Sequence, residues 1–407
     1  MDEESGAPEV LSQTWMSPGV AGIGLASFFS DAGHEISTAL LPDLLTVTLG
    51  APASALGLIE GISDGAAGAA KLAGGALADD PTRRRTIAIG GYTTTAVLVS
   101  ITSAATAAWQ VGVLRAGAWA ARGARGPARN AILADLVPRT AYGRAYGFER
   151  AMDNLGAIAG PLLAILLVGL VGVRNAIALS ILPGLLATAS IFYAVRRVPR
   201  ASRGKRDPIR LKIRPVLQGK LGRMMIGVTA FEFGNVAATL MILRATELLR
   251  PEYGRQTATQ LAIGLYVAYN TAATLTSLPA GKASDARGTT GVLGFGVAMF
   301  ALAYVGFAAG GTSVPALAPW FLAAGIGIGC VETSEHAAVA ALAPVAIRSS
   351  AFGMLATIQS LGNFVASSLA GLLWTAASPR AAFSFVAGCM VVSLAAIFAT
   401  RRAVSEP

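Results

Sequence analysis

Apolar stretches of about 20 residues recur from one end of the chain to the other, each long enough to cross a bilayer core of about 30 Å. None alternates with a period of two, so the spans are read as helices that satisfy their own backbone groups. The pattern predicts twelve of them, at 20–48, 54–78, 86–106, 109–133, 143–170, 174–197, 222–247, 259–281, 290–310, 316–343, 350–375 and 380–400. Between the sixth and seventh lies RRVPRASRGKRDPIRLKIRPVLQGKLGR (196–223), rich in Arg and Lys and without apolar periodicity. It reads as a solvated linker.

The chain also repeats itself at an offset of 206 residues, which sets GGALADD (74–80) on AGKASDA (280–286). Gly75 then falls on Gly281, Asp79 on Asp285, Gly147 on Gly353 and Gly156 on Gly362. The fold class expected is an all-α polytopic membrane protein, its twelve transmembrane helices forming two pseudo-symmetric six-helix bundles. The bundles are expected at 1–197 and 222–407, joined by a cytoplasmic basic linker at 198–221.

Composition agrees. Of 407 residues 54% are hydrophobic and only 13% charged, against roughly 25% charged in soluble domains. A net charge of +10 raises the question of nucleic acid, but the placement of the charges answers it. Arg83, Arg84, Arg85, Arg139, Arg144, the linker, Lys282, Arg287, Arg348, Arg401 and Arg402 occupy one set of loops and the tail, whereas the opposite loops hold little beyond Arg174, Arg250, Arg255 and Arg380. The positive-inside rule makes the first set cytoplasmic. The reading is a multi-pass protein of the inner (plasma) membrane with both termini inside, whose basic charge meets lipid and not nucleic acid. The acidic start, MDEESGAPEV, has no basic n-region, so the first span is expected to be its own insertion signal. Cys330 and Cys389 lie in apolar runs and are expected as free thiols.

GGALADDPTRRR (74–85) resembles the loop between spans 2 and 3 of the major facilitator superfamily, with Gly75, Asp79 and Arg83 to Arg85 in the motif positions. Asp80 departs from it, since a basic residue is usual there. The second half repeats the motif as Gly281, Asp285 and Arg287. Arg115 matches the superfamily's span 4 arginine, and LGAIAGPLLA (155–164) resembles its antiporter signature through Gly156, Gly160 and Pro161. The runs GLIEGISDG, RGPARNAILAD and GRAYGFERAMDNLGAIAGPL are similar to a prokaryotic branch that includes magnetosome-associated members. The resemblance implies that spans 1, 4, 7 and 10 line a central cavity, and that Gly75, Asp79, Arg83, Gly281, Asp285, Gly156, Gly160 and Pro161 serve conformational change.

Against this frame the intramembrane charges stand out, because such groups face a bundle interior or a wet cavity. FFSDAGHEIS (28–37) sets Asp31, His34 and Glu35 on one helical face. These form a candidate proton-handling cluster, with transient metal coordination by the same side chains, helped by Glu332 and His336, as the competing account. Span 2 offers Glu60 and Asp64, span 7 Glu232, and span 10 Glu332, Glu335 and His336 as further cavity candidates. Arg115, Arg122, Arg125 and Arg129 form one stripe on span 4. Counted by depth, Arg129 is level with Glu149 and Arg125 with Asp153, so these are expected as buried ion pairs. Arg115 and Arg122 lack a span 5 partner and are the candidates for an anionic substrate group.

His34-Glu35 cannot open a His-Glu-x-x-His zinc site, since Thr38 holds the last position. No nucleophile set and no phosphate-binding loop appears, so neither enzymatic activity nor a cofactor is expected. The reading is a monomeric secondary transporter that exports a small solute in exchange for protons. Uptake of a metal ion, metal chelate or other solute is the alternative, and a non-transporting membrane sensor stands behind both.

Overall fold

In the computed structural model, which describes residues 15–197 and 210–405, α1 runs Pro18–Asp43. Val20 N donates to its N-cap, Ser17 Oγ, at 3.3 Å, and Pro18 stands where a missing N–H costs nothing. Then come α2 (Ala53–Ala78), α3 (Pro81–Ile101), α4 (Ala108–Leu136), α5 (Tyr142–Leu179) and α6 (Ile181–Arg196). After the linker follow α7 (Ile213–Val216), α8 (Gly219–Glu232), α9 (Ala238–Arg287), α10 (Thr289–Ala309), α11 (Val314–Leu342), α12 (Arg348–Ala376) and α13 (Pro379–Ser405). Asp80, the motif's departure, caps α3: Thr82 N donates to its Oδ1 at 2.9 Å.

Two of these helices fold back on themselves. α5 turns at Gly172 (φ 79°, ψ 170°) and α9 at Gly254 (φ 72°, ψ 168°), backbone angles that a side chain would oppose. Counted through these turns, with the end of α5 and α6 as one span and α8 and the start of α9 as another, the described residues make twelve crossings. Among the described residues six helical segments are long and apolar enough to cross a membrane on length and composition alone. α1, α2, α4 and α12 are long enough but fall outside that set. Their interior faces carry the charges and hydroxyls described below.

Span 7 corrects the sequence reading, which took 222–247 as continuous. The helix stops at Glu232 and resumes at Ala238. The freed backbone groups find partners: Val236 N donates to Tyr304 Oη at 3.3 Å, Ala237 N to Ser367 Oγ at 2.8 Å, and Asn363 Nδ2 to the Asn235 carbonyl at 3.0 Å. Irregular backbone at such a depth is tolerated only inside protein or beside a cavity.

Of the expected linker, 198–209 lies outside the described residues. Of the rest, most residues are exposed, but Val216 and Leu221 are buried and anchor it to the bundles. Lys212 donates to the Ala346 carbonyl at 2.9 Å and stands 3.3 Å from Asp79. Both cysteines are free, Cys330 buried and Cys389 half-buried.

Candidate functional site

The two bundles interlock at one end through two related crossings. Where α2 meets α12, a Cβ added at Gly75 would stand 2.7 Å from the Ser349 carbonyl, and one at Gly353 would stand 2.7 Å from that of Lys71. Where α9 meets α5, a Cβ at Gly281 would stand 2.2 Å from the Gly143 carbonyl, and one at Gly147 would stand 2.3 Å from that of Ser277. Each crossing is locked by a motif carboxylate at a helix start, where unpaired N–H groups and the helix dipole favour an anion. Asp79 accepts from Ser350 N at 2.9 Å and Ser350 Oγ at 2.7 Å. Asp285 accepts from Gly143 N at 2.6 Å and from Arg144 Nε at 2.8 Å. The first crossing has an addition that the second lacks, since Asp135 accepts from Arg84 at 2.7 Å and from Arg348 at 3.1 Å. Arg83 turns away to Asp80, 3.2 Å off.

Above this lock His336 forms a triangle of rings with Tyr146 and Phe352, centroids 5.8 and 6.0 Å away, and its Nδ1 is 2.7 Å from the Glu332 carbonyl. It is an interface side chain here and does not reach across toward Asp31. The next layer is ionic. Glu149, fully buried, accepts from Ser27 Oγ at 2.6 Å and Arg150 at 2.7 and 2.8 Å, with Arg129 at 2.8 Å. Arg150 also approaches Asp153 at 3.3 Å and, across the two bundles, Glu332 at 3.8 Å.

Three arginine assignments made from depth differ from what is seen. Arg125 does not meet Asp153; it donates to Ser30 Oγ and lies 3.7 Å over the Tyr92 ring. Its rotation on α4 aims it at α1 and α3, which a count of depth along the membrane normal does not register. Nor are Arg115 and Arg122 free for an anion. Arg115 donates to Glu60 at 2.7 and 3.0 Å and lies 3.8 Å over Trp119, and Arg122 donates to Asp31 at 2.6 Å. Their partners come from spans 1 and 2, not span 5.

The rest of the span 1 cluster is less committed. His34 Nε2 is 3.7 Å from Glu35 Oε1, its ring lies 4.3 Å from that of Trp119, and its buried Nδ1 has no partner. The antiporter-like glycines back this helix: a Cβ at Gly156 would stand 2.5 Å from the Phe28 carbonyl, and one at Gly160 would stand 2.4 Å from Glu35 Cβ. Pro161 follows within α5. Among the described residues no group of three His, Cys, Asp or Glu is placed to hold a metal ion.

Beyond the lock, between α2 of the first bundle and α8, α11 and α12 of the second, opens a cavity of about 1110 Å³. Asp64, Lys71, Glu232, Glu332, Gln359 and Asn363 are among its lining residues. Behind Gln359 sits Glu335, fully buried, which accepts from Gln359 Nε2 at 2.8 Å through Oε2 while Oε1 has no partner.

A family model described as Major Facilitator Superfamily matches residues 23–254 and again 224–407. The chain belongs to the major facilitator superfamily. It is 27% identical over 385 residues, 93% of this chain and 94% of the relative, to an uncharacterised MFS-type transporter of Methanocaldococcus jannaschii. It is also 32% identical over 179 residues, 44% of each chain, to an uncharacterised protein of Mycobacterium tuberculosis. Among solved structures it resembles a bacterial homologue of the iron transporter ferroportin in an outward-facing state (TM-score 0.74, 13% identity, 94% of this chain and 99% of that one). The human organic anion transporter MFSD10 (0.70, 16%, 93% and 99%) and the E. coli fucose:proton symporter (0.70, 13%, 95% and 99%) share the fold. At these identities they share no more than the fold.

For a transporter of this superfamily, the residue that sequence reasoning overlooked is Lys71. A single lysine in GAAGAAKLAGGA (65–76) passes for a side chain reaching toward the headgroups. The signal that could have found it is the small-residue run around it, which lets α12 approach and turns that face inward. Asn235, Gln359, Ser360 and Asn363 were missed for a simpler reason. Neutral polar residues in a span carry no charge to flag them.

Proposed function

We propose that this superfamily transporter exports a small solute in exchange for protons, by alternating access between its two six-helix halves. The observation that carries the reading is the 1110 Å³ cavity between the halves, sealed at one end by the Asp79 and Asp285 locks. The basic residues at that end, Arg83, Arg84, Arg139, Arg144 and Arg348, support a cytoplasmic placement, with Arg174, Arg250, Arg255 and Arg380 at the other. On that placement the conformation is open outward. Fold alone names no cargo, and the iron, organic-anion and fucose proteins that share it make the point.

Proton coupling rests on carboxyl groups near the cavity that no cation holds, and on Asp31, whose ion pair protonation would release. Among the described residues Glu35, Glu232 and Glu335 have no Arg or Lys within ion-pair distance. Asp31 is held by Arg122 alone. When Asp31 takes a proton, the charge that fixes Arg122 to α1 is gone, and α1 and α4 are free to part. Protonating Glu35 beside it removes charge from the same wall and lowers the cost of closing it. Export, and not uptake, is supported by the antiporter-like Gly156, Gly160 and Pro161 packed on the Asp31–Glu35 helix.

The test uses proteoliposomes with an enclosed pH-sensitive dye and an imposed pH gradient, challenged with pools of small solutes. The wild-type chain should move protons when its solute is offered. Asp31→Asn should lose pH-driven transport while keeping downhill exchange. Full pH-driven transport in both Asp31→Asn and Glu35→Gln would sink the coupling assignment.

A further inference from the structure

We propose that the solute is a zwitterion, its ammonium group held by Glu232 beside the break in span 7 and its anionic group by Lys71 on α2. This rests on the reading of the 1110 Å³ cavity as the solute site.

Two enclosed charged groups of opposite sign line that cavity without an ion-pair partner, whereas Asp64, also on its wall, is exposed. Glu232 is 3% exposed. Its Oε2 accepts from Asn235 Nδ2 at 3.0 Å, and no cation is in reach among the described residues. Lys71 donates to Ser360 Oγ across the interface between the bundles and has no carboxylate within ion-pair distance. A charge in so enclosed a place is costly until a counter-charge arrives. Pairing the two with each other would close the cavity, and they are not paired. A solute with both charges satisfies each group at once and adds no net charge to the cavity, which favours its later closure.

The other arginines offer no rival anion site. Arg115, Arg122, Arg129 and Arg150 are each within 2.8 Å of a carboxylate oxygen, and Arg125 is spent on Ser30 and Tyr92. Lys71 is thus the cavity's one cation among the described residues.

The backbone points to the same spot. Residues 233–237 leave the helix at membrane depth directly after Glu232, and Asn235 and Ala237 line the cavity. Broken spans in transporters supply binding groups at the midplane. Glu335 adds a second buried carboxyl group on this side, one oxygen accepting from Gln359 and the other unpartnered. Leu72, Ile328 and Phe364 complete the wall, so the body of the solute meets apolar surface while its two ends meet charge.

The experiment is thermal stability of the purified full-length chain in detergent, which requires neither flux nor a pH gradient. Three matched pools are compared at equal concentration: free amino acids, the methyl esters of the same acids, and their N-acetyl derivatives. The free zwitterions should raise the melting temperature, and the esters and N-acetyl derivatives should not match them. For the member that acts, Lys71→Met and Glu232→Gln should each weaken binding about ten- to hundredfold, the worth of one charge-assisted contact. Should Glu232→Gln fail to fold, Glu232→Asp, which keeps the charge but withdraws it, should still weaken binding.

Esters stabilising as well as free acids, with Lys71→Met unaffected, would overturn the assignment. So would N-acetyl derivatives alone stabilising, or no response to any pool. Zwitterion binding without pH-driven movement would leave this assignment standing and fault the coupling mechanism instead.

Discussion

Arg129 and Glu335 occupy equivalent positions in the two halves, 206 residues apart, and they sit in opposite worlds. Arg129 is enclosed by Glu149, Ser27 and Asn130, with Asp153 at 3.9 Å. Glu335 is as deeply buried, yet it has one amide for company. The first half balances its charges internally: Glu60, Asp31 and Glu149 answer Arg115, Arg122, Arg129 and Arg150. The second half presents Glu232, Glu332 and Glu335 with Arg150 and Lys71, both borrowed from the first half, as the nearest cations. One repeat therefore holds its shape by charge, while the other holds charge in reserve for what enters between them.

That contrast makes its largest prediction at Glu149. Glu149→Gln strands Arg129 and Arg150 in a buried site, and should destabilise the chain by about 3–5 kcal/mol. Removing Arg129 as well should recover part of the loss. Glu335→Gln removes a carboxylate with no cation, and the amide can still meet Gln359, so the cost should stay within about 1 kcal/mol. Folded yield in detergent after graded heating reads both. Similar losses at the two positions would break the comparison.

The locks, by contrast, should behave alike, because here the repeat is preserved in detail. Gly147 opposes Ser277 and Gly353 opposes Lys71, pairs related by the same offset. Gly147→Ala and Gly353→Ala should each disfavour the sealed end by about 1–3 kcal/mol, as overpacking does. The readout is labelling of cysteines placed just above the lock, which should rise in both variants. A rise in only one would show that a single crossing governs closure.

How far the sequence reading reached follows the same division. Helices, repeat and locks were legible because apolar length, glycine and a carboxylate at a helix start act through the backbone, where sequence position fixes geometry. The depth count set Arg129 level with Glu149, and the two stand 2.8 Å apart. It failed for Arg125, since depth says nothing of which neighbour a helix face meets. Tyr92 comes from α3 and Ser30 from α1, on the side of α4 away from span 5. The break after Glu232 was hidden because Gly234 and Asn235 are too few to interrupt an apolar run. What holds that break open, Ser367, Tyr304 and Asn363, lies more than 60 residues away in the chain.

A smaller effect separates the motif carboxylates. Asp79→Asn and Asp285→Asn each remove an anion from a helix start, worth about 0.3–1 kcal/mol in exposed settings and up to about 2 when partly buried. The Asp79 side chain is 5% exposed and that of Asp285 10%, so on burial Asp79→Asn should open the sealed end more than Asp285→Asn. The same cysteine labelling orders them.

Lys212 should give the smallest effect and the finest distinction between the locks. At Asp285 the second cation is Arg144, part of α5 itself and 2.8 Å away. At Asp79 it is Lys212, 3.3 Å away and contributed by the connection between the halves. The lysine side chain is 29% exposed, and a screened pair of this kind is worth about 0–1 kcal/mol. Lys212→Ala also gives up the bond to the Ala346 carbonyl, but water can replace that partner. The expected outcome is less than about a fivefold shift toward the open lock, diminishing further in high salt as screening rises. Arg144→Ala should exceed it, because that side chain is tied to its helix and also donates to the Thr140 carbonyl at 2.9 Å. If Lys212→Ala opens the lock as far as Asp79→Asn does, the connection is itself part of the latch, and the two halves differ at their locks as well as at their cores.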